Sequence, residues 1–476
     1  MAMSLRNNPQ TTAALAEWAA AFRLADAPAA VVDRMKALVL DFLRVVAVGA
    51  RLPWSQSARR LALTLGGNAT GTVLFTGDRL DAARTAFVNG AYAHACDLDD
   101  THVGSMHHPG ASVLPAALAV AEKEDAGGRA LLEAAICGYE ASLRIGLAVQ
   151  PSMFQRGFMS TPTCGALGAA LAAGKLLGFG ARELAGALGA ASSYAGGLAQ
   201  FYKSGSEIKR INGAKAAESG VIAALLTQSG IAGPRDILEG ESGFFRAFAD
   251  RYDATRVTGD LGRGYRLLEV STKVHAGAGR LQAAVDAALA LASRHALAAP
   301  DIAEAEVGIP RVIAGKLTHA EPPDLQSAQL SVPFSVALAL ACGRERGPDA
   351  GLRREDYEAA LASPEVKALS MRVKCVVDAE VEAATTSEEV PARLKVRRTD
   401  GQVHEERVAH PRGSPQRRVD WPELQRLFAD GVGDALDAAR VQEVVRLVAA
   451  LDGAGSARSV IRACRAAPGW LPIVHD

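Results

Sequence analysis

The sequence predicts a mainly α protein: a large all-helical domain with a smaller α+β domain inserted into it. Three observations carry this. Apolar side chains recur at helical spacing almost throughout residues 10–270, the pattern turns strand-like near residue 268, and helical periodicity returns towards the C-terminal end. At 476 residues the chain is also too long for one compact core. The expected boundaries are 1–268 for the first part of the helical domain, 269–412 for the α+β domain and 413–476 for the helical return.

The elements follow in order. Residues 32–48 place Met35, Leu38, Val39, Phe42, Val45 and Val46 on one helical face. Residues 112–123, 127–149, 165–177 and 181–201 keep the same period. These segments are dense in alanine and glycine, as in G-A-L-G-A-A-L-A-A-G at 165–174. A glycine inside a helix costs ~1 kcal/mol relative to alanine, so its repeated use predicts helices packed backbone against backbone. Further on, 302–314 alternates like a strand, 332–342 reads as a helix, and 367–384 contains the strand-like M-R-V-K-C-V-V. Residues 392–403 hold a D-G turn between alternating runs and predict a hairpin. Helices at 421–428 and 441–451 close the chain.

Composition excludes several classes. Lys+Arg and Asp+Glu are both 52, so there is no basic surplus for nucleic acid or an anionic membrane surface. Cysteines at 96, 137, 164, 342, 375 and 464 form no C-x-x-C pair, which predicts reduced, mostly buried thiols and a cytoplasmic setting. No stretch predicts a signal peptide or a membrane-spanning helix. No phosphate-cradling loop, dinucleotide fingerprint or nucleophilic-serine context is present.

Chemistry concentrates in residues 94–111, H-A-C-D-L-D-D-T-H-V-G-S-M-H-H-P-G-A. Three carboxylates (Asp97, Asp99, Asp100) stand among four of the chain's ten histidines (His94, His102, His107, His108), and Pro109-Gly110 supplies a turn. Such a group suits acid–base catalysis. It also offers metal donors in Asp97, Asp100, His102 and His108, although no strict ligand spacing such as H-E-x-x-H occurs. The bland alternative is a helix end with solvated acids and surface histidines.

Several segments together resemble the MmgE/PrpD family. They are N-G-A-Y-A-H-A-C-D-L-D-D-T-H (89–102), H-P-G-A-S-V-L-P-A-A-L-A (108–119), G-Y-E-A-S-L-R-I-G (138–146), C-G-A-L-G-A-A-L-A-A-G-K-L-L-G (164–178), I-K-R-I-N-G-A-K-A-A-E-S-G (208–220) and G-P-R-D-I-L-E-G-E-S-G-F (233–244). The resemblance implies a helical domain with an α+β lid, a homodimer, no metal or organic cofactor, and a small di- or tricarboxylate substrate. It implies that Asp97, His108, Lys209 and Lys273 line the active cleft. His108 suits the base near neutral pH, Asp97 its partner or a second acid–base group, and Lys209 and Lys273 the carboxylate anchors, with Arg210 and His102 as further substrate-binding candidates.

The sequence also departs from the family pattern. Met159, Ala278 and Gln282 stand where family histidines occur, Gln329 where a basic residue is common, and His275 where an aromatic is usual. The expected function is a cofactor-independent lyase or isomerase that takes a proton from carbon next to a carboxylate, most like a 2-methylcitrate-type dehydratase. The missing histidines keep open an epimerase of an iminodisuccinate-like substrate, with His108 and His275 as paired bases. A cis-aconitate-type decarboxylase, a non-catalytic carboxylate-binding member and a metal-dependent hydrolase are the remaining alternatives.

Overall fold

A computed structural model describes residues 10–201, 206–386, 389–453, 455–467 and 469–471. The chain divides into two compact units: Met1–Ala95 with Asp99–Val270 and Asp420–Asp476, and Cys96–Leu98 with Ser271–Val419. Among the described residues no helix is long and apolar enough to cross a membrane.

The larger unit is helical. Its core helices are Ala29–Ala50, Ala82–Ala93, Gly110–Lys123, Gly128–Val149, Ser160–Leu176 and Asn212–Gln228, and Trp421–Val432 packs back on Ala29–Ala50. The small residues do what their number predicts. A Cβ built on Gly138 would lie 2.7 Å from the Gly168 carbonyl oxygen, and one on Gly168 would lie 2.5 Å from that of Gly138. A Cβ on Gly220 would meet the Ala169 Cβ at 2.4 Å and the Ala170 nitrogen at 2.6 Å. The helices therefore touch through their backbones, which is the close packing that repays the helix cost of glycine.

Two features of this unit differ from the sequence expectation. The helix expected over 181–201 is Ala181–Ser192, after which the chain turns and Leu198 bridges Phe158. Gly197 adopts φ +145°, and a Cβ there would sit 2.2 Å from Pro162 Cγ, so this position takes a conformation and a contact open to glycine. A short hairpin of β1 (Gly71–Thr72) and β2 (Arg79–Leu80) was not legible as strand.

The smaller unit holds a four-stranded sheet in the order β4-β3-β5-β6, with β3 Ile302–Ile309, β4 Val373–Val377, β5 Ala392–Arg398 and β6 Val403–Val408. β3 pairs parallel with β4 and antiparallel with β5, and β5 and β6 form the D-G hairpin. Ala392, Leu394 and Val396 point into a core shared with helices Gln282–Arg294 and Val332–Arg346. The intervening Arg393 and Arg397 face outwards to Glu306, Asp378 and Glu304. This is the period-2 division of a half-covered sheet. The strand expected over 302–314 stops at Ile309, because Pro310 has no N–H for the ladder. The strand-like 367–384 is broken up: helix Pro364–Ser370, strand β4, then helix Ala379–Ala384, whose first N–H groups are capped by Asp378.

Gly168→Ala tests the close packing. Alanine gains ~1 kcal/mol of helix propensity but overpacks against an immobile backbone, a cost of ~1–3 kcal/mol, so the expected net effect is destabilising. Thermal unfolding should show a lower Tm. A raised Tm would mean that the two helices are free to separate.

Candidate active site

In the larger unit the titratable stretch folds back on itself. Helix Ala82–Ala93 is capped at its start by Asp81 and ends at His94. His102 and His107 exchange backbone hydrogen bonds at 2.9 and 3.2 Å, closing a tight loop that delivers His108. Pro109 then leads into helix Gly110–Lys123. The Gly110 N–H, one of the donors a helix start leaves unpaired, donates to Asp100 at 2.8 Å, and the Tyr139 hydroxyl donates to the other Asp100 oxygen at 2.8 Å. A Cβ on Gly110 would lie 2.7 Å from that carboxylate, so glycine is what admits it.

Asp100 also fixes His108. Its backbone carbonyl lies 3.0 Å from His108 Nδ1, Thr101 Oγ1 lies 3.0 Å away, and Asp99 Oδ2 lies 3.5 Å away. The carbonyl and the carboxylate can only accept, so Nδ1 carries the proton and Nε2 carries the lone pair of the neutral ring. The His108 N–H donates to Thr161 Oγ1 at 3.2 Å. The ring is held from its Nδ1 side, and the side chain keeps 14% exposure.

Burial sets the electrostatics. It pushes Asp100 up to about 7, more than Tyr139 and Gly110 can offset by donating to it. Tyr139 is raised well above the usual phenol range by burial and by Asp100. Burial also raises Asp41, against the opposing pull of Arg44 at 2.7 Å. His107 is driven well below the ordinary histidine value by burial and by the neighbouring histidines.

Several residues singled out from the sequence take other places. His102 is fully buried. Its Nδ1 accepts from the Ser105 N–H at 3.0 Å and its Nε2 faces Glu269 at 3.0 Å, so it ties down the loop rather than presenting a substrate-binding face. Glu269 is held below the usual carboxylate range: burial raises it, but His102 and Arg266 more than compensate. The Arg210 guanidinium stacks 3.9 Å over Trp54 and bonds Glu207 and the Ala95 carbonyl. Lys209 beside it is buried at 4% exposure in the short Glu207–Ile211 turn of helix.

In the smaller unit Asp97 and Lys273 meet. Lys273 Nζ donates to the Asp97 carbonyl at 2.7 Å and to its carboxylate at 2.9 Å, and Lys273 is 1% exposed. Asp97 has φ +56°, a left-handed conformation that aims both oxygens at one ammonium. His275 was weighed as a second base and is instead fully buried. Its Nδ1 accepts from the Leu352 N–H at 3.1 Å and its Nε2 faces Asp286 at 2.9 Å, leaving no ring nitrogen to take a substrate proton.

The departures from the family pattern have structural roles. The Gln282 amide accepts from the His275 N–H at 3.2 Å and donates to the His275 carbonyl at 3.0 Å. Gln329 donates to the Cys96 and Ala276 carbonyls at 2.8 and 3.0 Å, and its own carbonyl receives the Ala278 N–H at 3.0 Å. Met159 is buried at the start of helix Ser160–Leu176 and its carbonyl accepts from Thr163 at 2.7 Å. The sequence pointed to Asp100 only as a possible metal donor and gave no individual role to Asp99, Thr101 or Tyr139. Asp99, Asp100 and Thr101 lay inside the marked stretch, whereas Tyr139 lay in a segment marked only for its resemblance to the family, 39 positions on from its partner. Among the described residues no three His, Cys, Asp or Glu side chains converge as a metal-holding group.

The MmgE/PrpD N-terminal domain family matches residues 13–256, and the MmgE/PrpD C-terminal domain family matches residues 275–452. The chain is 27% identical over 469 residues to the cis-aconitate decarboxylase-like protein oryM of Aspergillus oryzae, covering 93% of this chain and 94% of that protein. It is 28% identical over 464 residues to the cis-aconitate decarboxylase of Aspergillus terreus, 93% of each. To the cis-aconitate decarboxylase of Homo sapiens it is 32% identical over 226 residues, 46% of each.

Asp100 gives a signed pH prediction. Folded, it keeps its proton to about 7, while the unfolded chain releases it near ~3.9. The folded state therefore binds more protons between these values, and Asp100 makes stability fall as pH rises through them. Asp100→Asn keeps the acceptor and removes the ionisation. Between about pH 5 and about pH 8 the wild-type Tm should fall relative to the variant; parallel curves would show that burial does not hold the proton.

Proposed function

The chain belongs to the MmgE/PrpD family, and from that premise we propose that it is a lyase of a small polycarboxylate in which His108 moves the proton. The observation that carries this reading is the hold on His108 Nδ1: the Asp100 carbonyl there can only accept, which fixes the ring and makes Nε2 the basic nitrogen of the neutral imidazole. Lys209 and Lys273 are the proposed carboxylate anchors, ammonium groups whose charge acts strongly out of water. A homodimer is the expected assembly.

Decarboxylation of a cis-aconitate-type substrate is the first reaction to test, because the two Aspergillus relatives align over 93% of the chain. The bond to the leaving carboxylate breaks, its electron pair spreads into the adjoining unsaturated carboxylate, and carbon dioxide departs. The carbanion then takes one proton, from Nε2 of a protonated His108, which is replenished from solvent. That needs one proton donor. Dehydration of a 2-methylcitrate-type substrate needs a base for the carbon-bound proton and an acid for the departing hydroxyl. Two-base epimerisation loses support from the buried, doubly engaged His275.

Proton NMR in deuterated water with cis-aconitate, 2-methylcitrate, citrate and iminodisuccinate separates these reactions by loss of carbon dioxide, loss of water or inversion. His108→Gln should lower turnover by about 10²–10⁴-fold, the usual worth of a positioned acid–base group, with the fold retained. Undiminished turnover in that variant would remove His108 from the chemistry.

A further inference from the structure

The carboxylate behind His108 is shared. Asp99 Oδ2 lies 2.6 Å from His94 Nδ1 and 3.5 Å from His108 Nδ1, and the two rings sit 5.2 Å apart, tilted by 59°. His94 and Asp99 are 2% and 3% exposed, so water does little to screen them. We propose that His94 and Asp99 are a positioning pair that sets the pH at which His108 exchanges its proton. This deepens the reading of His108 as the proton-moving group and rests on it.

The surrounding charges single out Asp99. From helix Ala29–Ala50 come Arg34, Asp41 and Arg44, and Asp41 is committed to Arg44 at 2.7 Å. From helix Gly128–Val149 comes Tyr139, bonded to Asp100. On the loop itself are Asp100, which keeps its proton close to neutrality, His102, paired with Glu269, and His107, buried with no hydrogen-bond partner for either ring nitrogen among the described residues. Asp99 is then the carboxylate that answers an imidazolium at His108. His94 sits closer to it and draws on the same oxygen. Removing the carboxylate makes His108 harder to protonate, and removing the competing ring makes the carboxylate more available to His108. The two losses act in opposite directions, which a merely structural role would not produce.

The test is a pH titration of ¹⁵N-histidine-labelled full-length protein, following the His108 ring resonances assigned by their loss in His108→Gln. Asp99→Asn should move the His108 midpoint down by about one pH unit, and His94→Phe should move it up. The pH–rate limb of turnover should move with it in each variant. Shifts of the same sign, or no shift in His94→Phe, would overturn the proposal; should Asp99→Asn not fold, His94→Phe decides it alone. The titration requires no turnover, so a failure of every polycarboxylate to react would sink the lyase reading while leaving this result to stand or fall separately.

Discussion

The arrangement around His108 depends on one carboxyl group being taken out of water. Asp100 sits against the opening N–H of helix Gly110–Lys123 and the Tyr139 hydroxyl, and its own carbonyl orients the imidazole. A buried carboxyl without donors would cost several kcal/mol. The loop therefore has to close on the helix start, and closing it aims His108. Gly110 leaves room for the carboxyl, and the helix packing beneath holds Tyr139 in place. Ser142, on that same helix, lies where a Cβ on Gly168 would touch it at 2.7 Å.

A second chain of charges supports the same loop. Glu140 binds Arg144, Arg144 binds Asp260, Asp260 and Glu269 both bind Arg266, and Glu269 meets His102. Arg144 is completely buried, with Nη1 donating also to the Val257 carbonyl and Nη2 to that of Gly264. An isolated buried guanidinium would be very unfavourable; here each charge is answered by the next, out to the histidine that closes the loop. His108 stands on a rigid support rather than on a free loop end.

Much of this was legible in the sequence. The mainly α class followed from helical periodicity, the hairpin from its D-G turn, and the backbone contact of helices from glycine placed where propensity alone argues against it. Family membership followed from the order of short segments rather than from any one motif. The roles of individual site residues were harder to read, because a hydrogen bond depends on which way a ring faces. His102 and His108 look alike in the sequence, but one is fully buried between Ser105 and Glu269 and the other is oriented by the Asp100 carbonyl and keeps part of its surface exposed. His275 was weighed as a second base, and nothing in the sequence announced that Leu352, 77 positions later, donates its N–H to the ring. Strand ends were misread where a proline or a capping aspartate, Pro310 or Asp378, overrode a favourable run of β-formers.

The smaller unit owes one of its internal ion pairs to three residues, Cys96–Leu98, encoded far upstream of the rest. Lys273 is buried, and its carboxylate comes from that tripeptide. In genetic terms the segment from Ser271 to Val419 is not a cassette. Moved into another host gene, it would bring a buried ammonium and leave the counter-charge behind, an uncompensated charge worth about 3–5 kcal/mol. Any exchange of this unit between relatives has to carry both pieces at once, which ties its inheritance to that of the helical part in which the tripeptide is embedded.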